Sequence, residues 1–248
     1  MARAPSRERQ QINPMAQRPV FIPNLDGPLL VRTASVTFDW FPGPSVSQKQ
    51  RSIESLHDAA RQLPGVDRVL EVSSKSKERL GTALSAFNLT LPTSLRPGEL
   101  SVECAFQGSK VFAQGGPYTD IYDMSPREAK RDDRLRTSGH LTGFRFRGLD
   151  WPLEPQTAFY DWLYISALRQ HPDLTKRRLA DYSAFTDIEF NPEKSINCQA
   201  YAVALYVSLQ KRGILDAVTL DKDTFLRCLG GRPISNSQQD DTRQGSLF

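Results

Sequence analysis

The segment from Pro155 to Gln170 constrains the fold more than any other stretch of the chain. Ala158, Phe159, Trp162, Leu163, Ile165 and Leu168 cover much of the circumference of a 3.6-residue repeat. A helix of that kind has to be surrounded, so the pattern predicts a buried central helix closed by His171 and Pro172. Short β-rich runs at Val20, Phe21 and Ile22 and from Val31 to Trp40 predict strands at the front of the chain. Ser47 is read as the cap of a helix over 48–63, with Ile53, Leu56, Ala60 and Leu63 on one face and Pro64 and Gly65 as its stop. Val69 to Val72 reads as a strand, Lys75 to Leu84 as a helix, and Ala86 to Leu91 as extended. Glu99 to Phe112 reads as one helix. Ser125, Pro126 and Glu128 form a capped helix start, and Ser195 is read as the cap of a last long helix running to Arg212, with Gly213 as its stop.

Helices outnumber strands, so the fold class expected is α+β: one helix-rich domain with a small sheet and an N-terminal elaboration. Residues 1–17 are rich in Arg, Gln and Pro and are expected to form a disordered basic arm. The domain is expected over 18–230, with a flexible polar tail over 231–248. The chain of 248 residues is 39% hydrophobic and 24% charged, which is ordinary for a soluble globular protein. Its net charge of +4 fits an anionic ligand or nucleic acid without requiring either. Cys104, Cys198 and Cys228 are far apart and odd in number, and His57, His140 and His171 are scattered. Neither set suggests a disulfide framework or a metal centre, and a reducing cytoplasm is the expected home, with no metal and no cofactor. No apolar run reaches membrane-spanning length, and the N-terminus lacks the apolar core of a secretory signal.

The chemistry is expected in Ser101 to Asp133 and Phe185 to Gln199, where acid, amide and ammonium groups are interleaved with large apolar residues. Buried polar groups are costly without partners, so this interleaving marks a partly dry pocket. Glu103 lies among Val102, Cys104, Ala105 and Phe106, and helical spacing puts Glu103, Gln107 and Lys110 on one stripe. Such a carboxylate is either a solvated group favoured by the helix dipole or, with its apolar flank, a general acid or base. Lys75, Lys110 and Lys130 are the candidate cations: surface lysines, phosphate contacts, or an amine that attacks a sugar aldehyde. Asp187 and Glu189 alternate in what reads as an extended segment and so share a face, suited to ribose hydroxyls if not a solvated strand edge. Ser73, Ser74, Lys75 and Ser76 precede a predicted helix and can present backbone N–H groups to phosphate, or can simply be a loop and cap. The aromatic residues, Phe106 among them, read as core, with one or two free to sandwich a purine. No P-loop and no dinucleotide-binding glycine motif is present.

At these residues the chain resembles the NADAR domain family. That family has an S-x-E-x-x-F/Y-Q-x-x-K-F/V helix, matched by Ser101, Glu103, Phe106, Gln107, Lys110 and Val111. A downstream S-P-x-E-A-K/R element is matched from Ser125 to Lys130, and an L-S-x-F segment by Leu84 to Phe87. The resemblance spans roughly Glu71 to Arg212. It is closer to the subgroup that partners a DarT-type toxin, through Ser73 to Ser76, Leu84 to Leu89, Trp162 and Phe185 to Pro192. Broader NADAR proteins such as YbiA carry a D-x-F/W-W-G element near the end, where this chain has Asp187 to Asn191.

The resemblance implies removal of ADP-ribose from guanine in DNA by cleavage of the N-glycosidic bond to the exocyclic amine, an antitoxin activity. It implies Glu103, Lys110 and Lys75 as catalytic groups and Ser73, Ser74, Phe106, Gln107, Lys130, Asp187, Glu189 and Asn197 as the ADP-ribose-binding set. The implied partners are ADP-ribosylated, single-stranded DNA, the product ADP-ribose and a cognate DarT-type toxin. Arg3, Arg7 and Arg9 of the arm either track the strand's phosphates or form an idle tail. A YbiA-like N-glycosidase acting on a small nucleotide or riboflavin-pathway intermediate, and a non-catalytic antitoxin that blocks the toxin or binds modified DNA, are the alternatives.

Overall fold

The computed structural model describes residues 13–92, 100–175 and 178–230. The arm up to residue 12 and the tail from 231 lie outside them, as do Glu99 and the other residues of 93–99. The chain opens with β1 (Met15–Pro23) and β2 (Val31–Asp39), a long antiparallel pair in register from Met15 opposite Asp39 to Pro23 opposite Val31. The strand therefore starts at Met15, inside the segment expected as arm, because the backbone there is paired along β2. Next come α1 (Val46–Ala60) and β3 (Val69–Glu71), then α2 (Arg79–Ala83), β4 (Thr90–Leu91) and β5 (Leu100–Ser101). They are followed by α3 (Val102–Gly108), β6 (Lys110–Phe112), α4 (Pro126–Ala129), α5 (Arg134–Thr137), β7 (Leu141–Phe146) and β8 (Leu149–Trp151). The last elements are α6 (Ala158–Gln170), α7 (Pro172–Thr175), β9 (Ala184–Thr186), α8 (Gln199–Lys211), α9 (Leu215–Val218) and α10 (Lys222–Gly230).

This is a mixed α+β domain with small sheets, as the sequence predicts. Among the described residues the largest sheet has the order β2-β1-β9-β3, with β3 and β9 parallel; β4 pairs with β5, and β6-β7-β8 form a meander. Strand periodicity sorts the first sheet between two cores. Val20, Ile22, Val36 and Phe38 pack with Ile53 and Leu56 of α1, while Phe21, Leu70 and Phe185 face the main core. That core is built on α6 and α8, in which Ala200 to Leu209 are all buried. Gly213, at φ +69°, supplies the left-handed stop after α8.

Several predicted elements are shorter because side chains, or in one case a backbone turn, compete for the backbone groups. Ser73 Oγ accepts from Lys75 N (3.2 Å) and Ser76 Oγ from Glu78 N (3.2 Å), so residues 73–78 turn and the predicted 75–84 helix shrinks to α2. Asn88 N and Leu89 N both donate to Ser85 O (2.8 Å), so most of 86–91 is a turn and only β4 is extended. The single helix expected to end at Phe112 stops at Gly108, where Ser109 Oγ donates to Ala105 O (2.6 Å), and β6 follows on β7. The cap of α1 is Ser45 rather than Ser47, because the Gln48 side chain closes a capping box with Ser45 and also donates to Pro42 O (2.7 Å). Ser195 sits in a turn, its Oγ donating to Asn197 O (3.2 Å), and α8 starts only at Gln199. The Ser125 capping box forms as expected.

Gly81 is where α2 closes onto β3. A Cβ there would lie 1.9 Å from Glu71 O and 2.4 Å from Ser76 Oγ. Gly81→Ala is expected to lower stability by about 1–3 kcal/mol. Gly230→Ala, which meets only Pro155 Cγ at 3.7 Å, is expected to be neutral. Paired thermal melts check this, and equal melting temperatures for the two variants would contradict the close approach.

Candidate active site

The site is assembled around α3. Ser101 Oγ accepts from Cys104 N (3.1 Å) to cap the helix, and Glu103 N donates to Ala86 O (2.9 Å), joining its first turn to the 85–89 turn. Every residue of α3 is buried, including Glu103 (6% exposed) and Gln107 (7% exposed). Two buried polar side chains one turn apart need partners, and they find each other. Gln107 Nε2 donates to Glu103 Oε1 (2.9 Å), and Lys110 Nζ donates to Gln107 Oε1 (2.7 Å). The amide orientation follows from chemistry, since only its oxygen can accept from an ammonium and only its NH₂ can donate to a carboxylate. Lys110 begins β6, not the helix, but its ammonium stays in line and lies 4.8 Å from the centroid of the Phe106 ring. Burial pulls Lys110 down to about 8; the charge of Glu103 opposes this and Lys130 adds to it.

The opposite wall rests on Glu71, which the site expected from sequence omits. It is 1% exposed at the end of β3. Its carboxylate accepts from Ser73 Oγ (2.6 Å) and Ile188 N (2.9 Å) through one oxygen and from Thr186 Oγ1 (2.8 Å) through the other. Thr186 Oγ1 also meets His57 Nε2 at 3.0 Å, and burial holds that imidazole down to about 4. Glu71 therefore clips the 73–76 turn to the segment after β9. Burial first, and then the charge of Asp187, push Glu71 up to about 8, while burial pushes Asp187 up to about 7. A lone carboxylate amid Val69, Leu70 and Val72 was the signal that could have flagged it.

Between these walls lies a cleft of about 860 Å³, within the range of small-molecule sites. Glu103, Lys110, Lys75, Ser73, Ser74, Phe106, Gln107, Lys130, Asp187, Glu189 and Asn197 all line it, so the residues expected as the catalytic and ADP-ribose-binding set fall in one cavity; Ser76 of the serine run does not line it. Their settings differ. The Ser73 hydroxyl is buried and committed to Glu71, while Ser74 is exposed beside half-buried Lys75. The serine run is a turn ahead of a five-residue helix and not a helix start. Lys130 is exposed, 5.7 Å from the centroid of the Phe87 ring. Asp187 and Glu189 do not share an extended face: β9 ends at Thr186, and Asp187 Oδ1 accepts from Glu189 N (3.0 Å) in a turn. Asp187 is turned inward (8% exposed), whereas Glu189 is exposed and pairs with Lys49 (3.3 Å).

A family model described as DarT1-associated NADAR antitoxin matches residues 16–239. The chain belongs to the DarT1-associated NADAR antitoxins. No curated protein sequence matches it. In this antitoxin, two further side chains complete the cleft. Gln199 accepts from Ala86 N (2.8 Å) and hydrogen-bonds Asp187, tying the start of α8 to the α3 side. Tyr160, buried on α6, has its phenol held well above its ordinary range by burial first, with Glu103 and Asp187 adding to the effect, so it stays a donor. Among the described residues no three His, Cys, Asp or Glu side chains group as a metal site, and no helix is long and apolar enough to cross a membrane.

The Glu71–Asp187 pair makes stability depend on pH with a defined sign. Both folded-state values are raised, so the folded chain holds protons that the unfolded chain has released. Stability from this source is full below the ordinary Asp value of 3.8 and is lost as pH rises through the folded values of about 7 and about 8. Glu71→Gln is expected to flatten the fall of melting temperature across that window. Parallel slopes for wild type and variant would contradict the assignment.

Proposed function

We propose that this antitoxin is a glycohydrolase that removes ADP-ribose from guanine bases in DNA, cutting the bond between the ribose anomeric carbon and the exocyclic amine. The observation that carries this reading is the buried Glu103–Gln107–Lys110 chain, which offers an acid and an amine of lowered basicity to one point of a cleft large enough for a nucleotide sugar. Family membership supports it, since these antitoxins are associated with DarT1; a DarT toxin is then the source of the lesion.

Glu103, a carboxylate in its resting pair, takes up a proton from solvent and passes it to the ribose ring oxygen, and the lone pair of the exocyclic nitrogen opens the ring, leaving an iminium between the anomeric carbon and that nitrogen; the proton released when water later adds restores the balance. Lys110, about a tenth of it unprotonated at neutral pH, adds to the anomeric carbon. One proton passes from the lysine nitrogen to the guanine nitrogen, the carbon–guanine bond breaks, and guanine leaves as its ordinary amine. Water then adds to the lysine iminium, the amine is expelled, and the open sugar recloses as ADP-ribose. Gln107 holds the acid and amine in line. Ser74, Lys75 and Lys130 receive the diphosphate, Asp187 and Asn197 the ribose hydroxyls, and Phe106 packs under the sugar. Glu189, drawn outward by Lys49, serves at the rim.

Glu103→Gln is expected to lower release of ADP-ribose from a guanine-modified oligonucleotide by about a hundredfold or more while retaining ADP-ribose binding. Release at the wild-type rate would overturn the role of Glu103. Borohydride during turnover is expected to leave a mass adduct on Lys110, absent in Lys110→Arg, and kcat/KM is expected to rise with pH up to about 8 as the amine loses its proton. Turnover with no adduct and no such limb would leave direct attack by water as the route.

A further inference from the structure

A second cavity of about 570 Å³ opens beyond Lys110. It shares Phe106, Lys110, Tyr160, Lys194, Ser195 and Asn197 with the cleft, so the two are chambers of one depression that meet along these residues. Their linings are chemically different. The residues found only in the cleft include three cations, Lys75, Arg127 and Lys130, against three acids, Glu103, Asp187 and Glu189. Those found only in the second chamber include no cation but two acids, Glu154 and Glu193, while the cations Lys110 and Lys194 are shared by both. One side of it is flat and apolar, where Phe144 stacks on Phe159 (4.7 Å between centroids, 26° between planes) and Pro152, Pro155 and Pro192 lie along it, and Gln156 and Thr157 add polar groups.

We propose that this second chamber receives the leaving nucleobase, an aminopurine still attached to its strand, while the ADP-ribose part occupies the cleft. The assignment rests on the glycohydrolase reading and adds an orientation to it. With the shared Lys110 and Lys194 counted in both, the cleft has an excess of cations over acids and the second chamber has none, so a diphosphate is better placed in the cleft, near Lys75, Arg127 and Lys130. A flat purine is suited to proline and phenylalanine faces, and its N–H edge to a carboxylate. Glu154 is preset for that contact: Oε2 accepts from Gln156 N (3.0 Å), leaving Oε1 to accept from the base. The scissile bond then crosses the junction of the chambers, with the sugar carbon on the Glu103 side and the leaving nitrogen on the other. At the outer edge Leu153 (38% exposed) and Ile196 (41% exposed) give the adjoining bases of a single strand an apolar rim.

Methyl-labelled protein saturated with ADP-ribose and titrated with guanosine tests the chamber without relying on catalysis. The expected result is that guanosine shifts the Leu141 and Ile196 methyl signals without displacing ADP-ribose. Competition between the two ligands, or no shift at millimolar guanosine, would overturn the proposal. In a second arm, Leu153→Asp and Ile196→Asp are expected to lower kcat/KM on the modified oligonucleotide at least about fivefold, with ADP-ribose affinity unchanged. An equal loss of ADP-ribose affinity would contradict the division into chambers. Absence of ADP-ribose release by the wild-type chain would instead count against the glycohydrolase reading, and the guanosine titration would still decide the chamber.

Discussion

A carboxylate, an amide and an ammonium joined in series on an otherwise apolar surface form the interaction around which this molecule is arranged. Removing Gln107 would cost both Glu103 and Lys110 this partner, and removing either end would leave one half of the buried amide unmet, a cost of roughly 1–3 kcal/mol per neutral group and more for a charge. The amide fixes the spacing of the other two, because it is the only member that can both donate and accept. The packing around α3 follows from the need to hold this series still. The 85–89 turn accepts from the Glu103 N–H, Phe106 packs against Phe144, Phe159 and Tyr160, and the cap at Ser101 follows directly from β5.

The second wall obeys the same rule with a different answer. Glu71 has no cation among its hydrogen-bond partners; it accepts from two hydroxyls and one backbone N–H. Such a carboxyl is stabilised in its protonated form by burial, and Asp187 nearby strengthens that tendency. The two sides of the cleft thus differ electrostatically. One holds an ion pair relayed through an amide, and the other holds two carboxyls that favour their protons near neutrality. Gln199 bonds across the gap and Tyr160 lines it, so the helices α8 and α6 contribute to the site and it is not built by loops alone.

Much of this was legible in the sequence, for identifiable reasons. The buried helix α6 is read from periodicity because apolar residues on most of its circumference leave it no exposed alternative. The Glu103 stripe is read from spacing even though Lys110 belongs to a strand, because the ammonium of a long side chain tolerates the change of backbone after Gly108. Most of what failed comes from short polar side chains bonding to nearby backbone. Ser73 and Ser76 end the predicted helix before it begins, and Asp187 bends the chain so that Glu189 leaves its expected face, while the 86–89 segment turns on the Ser85 backbone carbonyl. Glu71 was missed because its partners lie more than a hundred residues away in Thr186 and Ile188, a proximity that local patterning does not encode.

The central claim is spatial: the Glu103–Gln107–Lys110 series and the reacting sugar carbon share one point. A crystal structure of the antitoxin with ADP-ribose bound measures it directly. The account predicts the anomeric carbon about 3–3.5 Å from Lys110 Nζ, with Glu103 reaching the ring oxygen and the diphosphate toward Lys75 and Lys130. An anomeric carbon held away from Lys110, or a diphosphate seated among Phe144, Pro155 and Glu154, would contradict it.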